Sequence, residues 1–163
     1  MKNLITLLIV LLSISGYSQL PTDTIGYDSV NVRVIDSLVE VYVNEARVER
    51  GNTPLEINND LREHSYNHSE WMLVNNKFEH SAGGVVGECC LDGSLWGGET
   101  YENNAKTLVN LWFNSPPHRH ILLKSAFTYG GCGSAIGDPS YGFYKIKSSF
   151  GLSPISSEYF TSK

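Results

Sequence analysis

No block of lysine or arginine interrupts this chain: 12 basic residues are scattered among 17 acidic ones over 163 residues, for a formal net charge of −5. That balance lacks the footprint of a nucleic-acid partner and gives no electrostatic means of docking to an anionic membrane. No stretch reaches the roughly 20 apolar residues of a spanning helix, so no transmembrane anchor is expected. Neither an internal repeat nor a low-complexity linker divides the chain, and with 41% hydrophobic and 18% charged residues it reads as one globular domain. A further absence concerns His64 and His68, which have the i, i+4 spacing of a zincin pair. That chemistry needs a glutamate directly after the first histidine as general base, and Ser65 stands there.

Cysteine is scarce, with three in all, and its meaning depends on compartment. Lys2 precedes a charge-free apolar run at 4–12, and Gly16-Tyr17-Ser18 supplies small residues at the positions before a cleavage point. Residues 1–18 are therefore expected to be an export signal, removed before Gln19, for a secreted, extracellular or periplasmic protein. In an oxidising compartment two outcomes stay open. Cys132 bonds Cys89 or Cys90, or all three thiols are small buried apolar groups.

After a polar lead-in at 19–34, apolar Ile35, Leu38, Val39, Tyr42 and Ala46 recur at helical spacing, with Arg33, Asp36, Glu40 and Arg47 off that stripe. Gly51 reads as the end of this helix. A second helix runs over about 60–75, capped by Asn58 or Asn59. Its stripe of Leu61, Ser65, His68 and Met72 is small and polar enough to suggest close packing or a cavity wall. Residues 81–100 are rich in glycine and resist assignment. A third helix over about 104–114 places Ala105, Leu108, Val109 and Trp112 on one face, and Ser115-Pro116-Pro117 stops it. A strand over 127–136, a turn at 137–140 and a return strand over 141–150 close the chain. Helices first and a hairpin last predict an α+β fold, with helices packed on an antiparallel sheet.

His80 and His118 both lie at element ends, where side chains are displayed on a rigid scaffold, and Gly87-Glu88 falls between them. Two imidazoles and a carboxylate suit a metal or a proton-transfer site; hydrogen bonding alone is the structural alternative. A nucleophilic pair of Cys89 or Cys90 with a histidine lacks an evident orienting group.

Several segments together resemble the CAP superfamily, the SCP-like extracellular domains of cysteine-rich secretory, antigen 5 and pathogenesis-related proteins, in its short bacterial branch. Leu38-Val39 with Asn44, Arg47, Gly51 and Pro54-Leu55 resembles the opening helix and turn, and Leu61, Ser65, His68, Ser69 and Met72 the second helix. Phe78-Glu79-His80-Ser81 is similar to the first-histidine segment and Gly87-Glu88 to the Gly-Glu-Asn segment, with Cys89 in place of the asparagine. Trp112-Phe113-Asn114-Ser115-Pro116-Pro117-His118-Arg119 resembles the bacterial Trp, Ser-Pro, His-Arg block. Gly130-Gly131-Cys132-Gly133 and 144–151 resemble the closing strands.

The resemblance spans 35–151 and implies an α-β-α sandwich with a cleft above the sheet, followed by a tail at 152–163. It implies His80, His118 and Glu88 as cleft residues and as ligands of a weakly bound divalent cation such as zinc. Glu99 is a rival for the Glu88 role, because the glycine-rich stretch blurs the alignment. The second glutamate that the family's cleft often carries has no counterpart at Asn114-Ser115. The favoured expectation is a secreted, non-enzymatic binding module for a cation or a small, lipid-like ligand. A metal-dependent or thiol hydrolase and a structural cell-surface module are the alternatives. The sequence leaves the oligomeric state open.

Overall fold

The computed structural model describes residues 19–26, 29–83, 85–140 and 143–154, the side chains of Pro139 and Ser140 excepted. The expected export signal at 1–18 and residues 155–163 of the expected tail lie outside them. Helix α1 (Val32–Glu49) starts where the Asn31 side chain accepts from the Arg33 N–H. It ends at Gly51, whose φ of 79° lets the Gly51 N–H reach the Val48 carbonyl and the Asn52 N–H reach that of Arg47. Strand β1 (Glu56–Ile57) leads to α2 (Asn59–Val74), capped by Asn58 on the Leu61 N–H. Then come β2 (Gly87–Trp96), α3 (Tyr101–Asn114) capped by Thr100, α4 (Pro116–Leu122), β3 (Tyr129–Ser140) and β4 (Phe143–Ser153).

The four strands lie in the order β1-β3-β4-β2. The long pairs are antiparallel and β1 adds a two-residue parallel pair to β3. Helix α2 covers one face of this sheet and α1 the other, with α3 packed on α1. The expected α+β sandwich is therefore the observed fold.

The two faces differ in character. Ile35, Leu38, Val39, Val43, Leu108 and Trp112 from α1 and α3 meet Cys89, Leu91, Leu95, Ile146 and Phe150 in one apolar core. Trp112 stands edge-on to Phe150 and its indole N–H donates to the Cys90 carbonyl at 3.2 Å. Under α2 the contacts are largely polar. The Ser65 hydroxyl donates to the Gly131 carbonyl and accepts from the Gly151 N–H, both at 3.0 Å, and Ser69 donates to the Gly133 carbonyl at 2.7 Å.

Several sequence expectations are corrected. The unassigned stretch at 81–100 holds β2, ten residues long. Its Glu88, Cys89, Cys90 and Leu91 are all buried, so the alternation that marks a half-exposed strand is missing. Ser115-Pro116-Pro117 stops α3 and also opens α4, since proline fits the first turn of a helix. The expected turn at 137–140 is strand up to Ser140, with an irregularity between Ile136 and Pro139. The lead-in is not merely polar, since Ile25 is 1% exposed within the core; the helical pattern read from Val32 to Arg50 is the observed Val32–Glu49 helix.

No disulfide joins the three thiols. Cys89 and Cys132 both pair with Phe150 from opposite sides of β4, about two strand spacings or ~10 Å apart, too far for a bond. Cys90 faces the other side of the sheet. The outcome with three small buried groups is the one found.

The polar residues of α1 also turn inward. Arg47 is fully buried and donates to the carbonyls of Thr53, Leu122, Lys124 and Phe127, tying α1 to the end of α4 and the start of β3. Glu40 accepts from the Cys132 N–H at 3.0 Å and pairs with Arg62. Asp36 accepts from the Ser134 hydroxyl at 2.6 Å. Beyond the short β1, these two acids satisfy the exposed edge of β3.

Two substitutions test this packing. A Cβ at Gly133 would collide with the Tyr66 backbone nitrogen. Gly133→Ala should therefore cost roughly 1–3 kcal/mol or more in denaturant unfolding; an unchanged midpoint would contradict the contact. Arg47→Met strands the carbonyls it serves and should cost on the order of 3 kcal/mol. A variant that melts at the wild-type temperature would rule out the clamp.

Candidate functional site

Glu88 is the second residue of β2 and points to the polar, α2 side of the sheet. Its neighbour Cys89 points into the apolar core, because side chains alternate along a strand. A buried carboxylate needs partners, and Glu88, 7% exposed, has them from three directions. Oε2 accepts from the Ser81 N–H at 2.9 Å and lies 2.8 Å from His80 Nδ1; Oε1 accepts from the Ser149 hydroxyl at 3.1 Å. His68 Nε2, from α2, is 3.9 Å from Oε1. Burial pushes the Glu88 carboxyl up, but the Ser81 N–H, His80, Cys90 and the charge of His68 outweigh it and hold it below the ordinary carboxylate range.

The surrounding side chains come from α2 and the segment after it. His68 donates from Nε2 to the Glu79 carbonyl at 2.9 Å, and its ring stacks on Trp71 at 5.9 Å between centroids. His64, one turn earlier, meets the Ser81 hydroxyl at 3.3 Å. Both members of the i, i+4 pair thus face this site, although the zincin base is absent. Cys90, two residues along β2, lies 3.6 Å from His80 Nδ1 and 3.9 Å from the Glu79 carbonyl. His80 is the exposed member, with 65% of its side chain open to solvent.

His118 sits in the first turn of α4, held against β2 by the Cys89 thiol on its carbonyl at 3.8 Å. Its Nδ1 is buried and has no hydrogen-bond partner among the described residues. Burial, and then the charge of His80, pushes its pKa down. Burial likewise lowers that of His64.

Of the residues expected from sequence, His80 and Glu88 are in contact, while no hydrogen bond links His118 Nδ1 to either. Glu99 follows the opposite end of β2, roughly 25 Å of strand from Glu88, where it accepts from the Asn103 side chain at 2.9 Å. Ligand atoms of His68, Glu88 and Cys90 also gather, all within 4.8 Å of one another. The sequence presents Cys90 as a disulfide partner, a buried apolar group or a nucleophile, and not as a metal ligand. For the nucleophile's role both adjacent thiols are poorly placed: burial pushes Cys89 up to about 12 and raises Cys90 still further. The Asn67-His68-Ser69 sequon lies within α2, with His68 and Ser69 buried.

The low imidazole values have a definite sign. An unfolded histidine binds its proton at about pH 6.5, above the folded His64 and His118, so their contribution to stability is present above that pH and is lost as pH falls through it. The depressed Glu88 adds a loss at lower pH, as it protonates. In an NMR titration of the ring protons, His118 is expected to titrate below free histidine; a midpoint at or above it would contradict the burial of Nδ1.

Comparison with known proteins gives a consistent picture. A family model described as the cysteine-rich secretory protein family, CAP, matches residues 41–146. No curated protein sequence is a significant match. Among solved structures, an outer surface protein of Borrelia burgdorferi superposes with a TM-score of 0.55 at 14% identity, covering 76% of this chain and 95% of that one. MpPR-1i gives 0.54 at 15% identity, over 83% of this chain and 98% of that one. An extracellular SCP-domain protein of Bacillus anthracis gives 0.50 at 20% identity, over 74% of this chain but 41% of its own. At these identities the structural likeness speaks for the fold alone.

Proposed function

Because the chain belongs to the cysteine-rich secretory protein (CAP) family, we propose that it is an exported binding domain whose cleft, centred on Glu88, takes a divalent cation or a small polar ligand. His80, Glu88 and His118 are the residues assigned to that cleft. The observations that carry this are the contact of His80 Nδ1 with the buried Glu88 carboxylate at 2.8 Å and the buried Nδ1 of His118, which has no hydrogen-bond partner among the described residues. Two neutral imidazoles and a carboxylate are a donor set that zinc accepts, and such a set leaves a position open for water or a ligand. No helix among the described residues is long and apolar enough to cross a membrane. Export is carried by the 1–18 segment in this reading, and N-terminal analysis of exported protein should begin at Gln19.

A binding role is favoured over hydrolysis by a specific observation. The thiols that would have to attack are buried, and burial raises both well above the ordinary thiol range. The imidazole nitrogen 3.6 Å from Cys90, His80 Nδ1, is the same atom that faces Glu88 at 2.8 Å, so the carboxylate does not orient a free ring nitrogen toward the sulfur. A lipid-like ligand draws no support from the surface depression lined by Pro116, Arg119, His120, Leu123, Lys124 and Ser125, which is open and contains none of the cleft residues.

Titration calorimetry with zinc at neutral pH should show binding by the wild type, weakened by His80→Ala and by His118→Ala. Affinity should fall as pH drops, because imidazole binds a cation only when deprotonated; the His118 share should be lost below the free-imidazole value of about 6.5, since burial lowers its pKa. Absence of binding by the wild type, or binding that survives both substitutions at full strength, would overturn the assignment.

A further inference from the structure

The cleft has an inner wall that the assignment above does not use. On the side of Glu88 away from solvent, His68 Nε2 and Cys90 Sγ join a Glu88 oxygen in a group whose atoms all lie within 4.8 Å of one another. The N–H of His68 donates to the Glu79 carbonyl at 2.9 Å, and the Cys90 sulfur lies 3.9 Å from that oxygen and 3.6 Å from His80 Nδ1. The three donors come from rigid elements, α2 and β2, and the remaining side of Glu88 is held by the Ser81 N–H and the Ser149 hydroxyl. Hydrogen bonds of that kind orient a ligating carboxylate.

We infer that Cys90 and His68, together with Glu88, bind a thiophilic divalent cation of the zinc, cobalt and cadmium class directly, so that the cleft discriminates against calcium and magnesium. The inference rests on the cation-binding reading of the cleft and adds to it the identity of the inner ligands and the class of ion. A set of one sulfur, one nitrogen and one oxygen is unsuited to the hard cations, which take oxygen ligands and gain nothing from a thiolate. It suits zinc, for which thiolate, imidazole and carboxylate are the ordinary donors. The proton balance is simple. Binding breaks the Cys90 S–H bond and releases that proton to solvent. His68 ligates through Nε2, its ring N–H then lying on Nδ1. His80, exposed and 2.8 Å from Glu88, stands at the route of entry.

Cobalt and cadmium are the probes, because a metal–thiolate bond gives a charge-transfer absorption in the near ultraviolet that nitrogen and oxygen ligands do not. The exported chain, kept reduced, is titrated with each ion and with calcium. Wild type should develop the thiolate band at one equivalent, release about one proton in calorimetry across buffers of different ionisation enthalpy, and ignore calcium. Cys90→Ser should abolish the band, and Cys90→Ser and His68→Gln should each weaken cadmium binding by at least about tenfold. Cys89→Ser and Cys132→Ser should keep the band. Thermal melting and circular dichroism of each variant without metal identify any that fails to fold; for those, the band in wild type and its cadmium-113 NMR shift decide the ligand type alone. Binding without a thiolate band, lost in His118→Ala, would overturn the inner ligands while leaving the cleft assignment intact. No binding of any of these ions to folded wild type would overturn both.

Discussion

The close approach of α2 to the sheet sets the geometry on which the candidate site depends. Gly131 and Gly133 of β3 have no side chains to hold the helix away, and added Cβ atoms would collide with the backbone nitrogens of Arg62 and Tyr66 on α2. The helix answers with small hydroxyls rather than bulk: Ser65 and Ser69 bond the glycine carbonyls, and Ser65 also takes the Gly151 N–H. A helix seated at that depth brings His68, one turn beyond Ser65, level with Glu88 and Cys90 on β2. Larger residues at these glycines would lift α2 and withdraw His68 from the carboxylate. The glycines of β3 are therefore as much a part of the site's construction as the residues that touch it.

A second constraint acts on the opposite side. Strand β1 pairs with β3 for only two residues, after which the edge of β3 needs other partners. Asp36 and Glu40 of α1 supply them, and Arg47, further along the same helix, gathers the carbonyls at the end of α4 and the start of β3. Burial, above all, raises Asp36 to about 7. The Ser134 hydroxyl donates to Asp36 at 2.6 Å and meets the Ser148 hydroxyl at 2.9 Å. The raised value of Asp36 gives a contribution opposite in sign to those of Glu88 and His118: it is fully present below the ordinary aspartate range and is lost as pH rises toward 7.

The sequence is legible where one physical signal dominates. The apolar stripes of α1 and α3, the caps at Asn58 and Gly51, and the pairing of the last two strands follow from local periodicity and backbone chemistry. So does the choice of His80 and Glu88 as chemically interesting neighbours. Strand β2 is hidden because it is covered on both faces, and Glu88-Cys89-Cys90-Leu91 shows no alternation. Asp36, Glu40 and Arg47 fall off the apolar stripe, where a solvated face is the default reading. Their spacing of four and seven in fact forms a stripe of its own, and charge alone cannot tell a hydrated stripe from one that meets backbone groups. His68 stands out in the sequence chiefly as half of a zincin pair. The signal that could place it in the site is its position one turn after Ser65, on a stripe that already faces inward. No local pattern gives the convergence of Cys90 with His68, because it arises from a strand and a helix 22 residues apart in sequence.

The division of labour between the two faces of the sheet explains how so small a domain keeps a polar pocket at all. Burying Glu88 and His68 carries a desolvation cost that hydrogen bonds only partly return. The apolar layer of α1 and α3 supplies the driving force, at about 25 cal/mol for each Å² removed from water, and leaves the α2 layer free to be assembled from serines, histidines and glycines. The pocket falls at the start of β2 because that strand forms the edge of the sheet. No further strand among the described residues lies beside it, so the segment after α2 can reach the carboxylate from outside, through His80 and the Ser81 N–H. An interior strand would have offered Glu88 the helix layer alone, without a route from solvent.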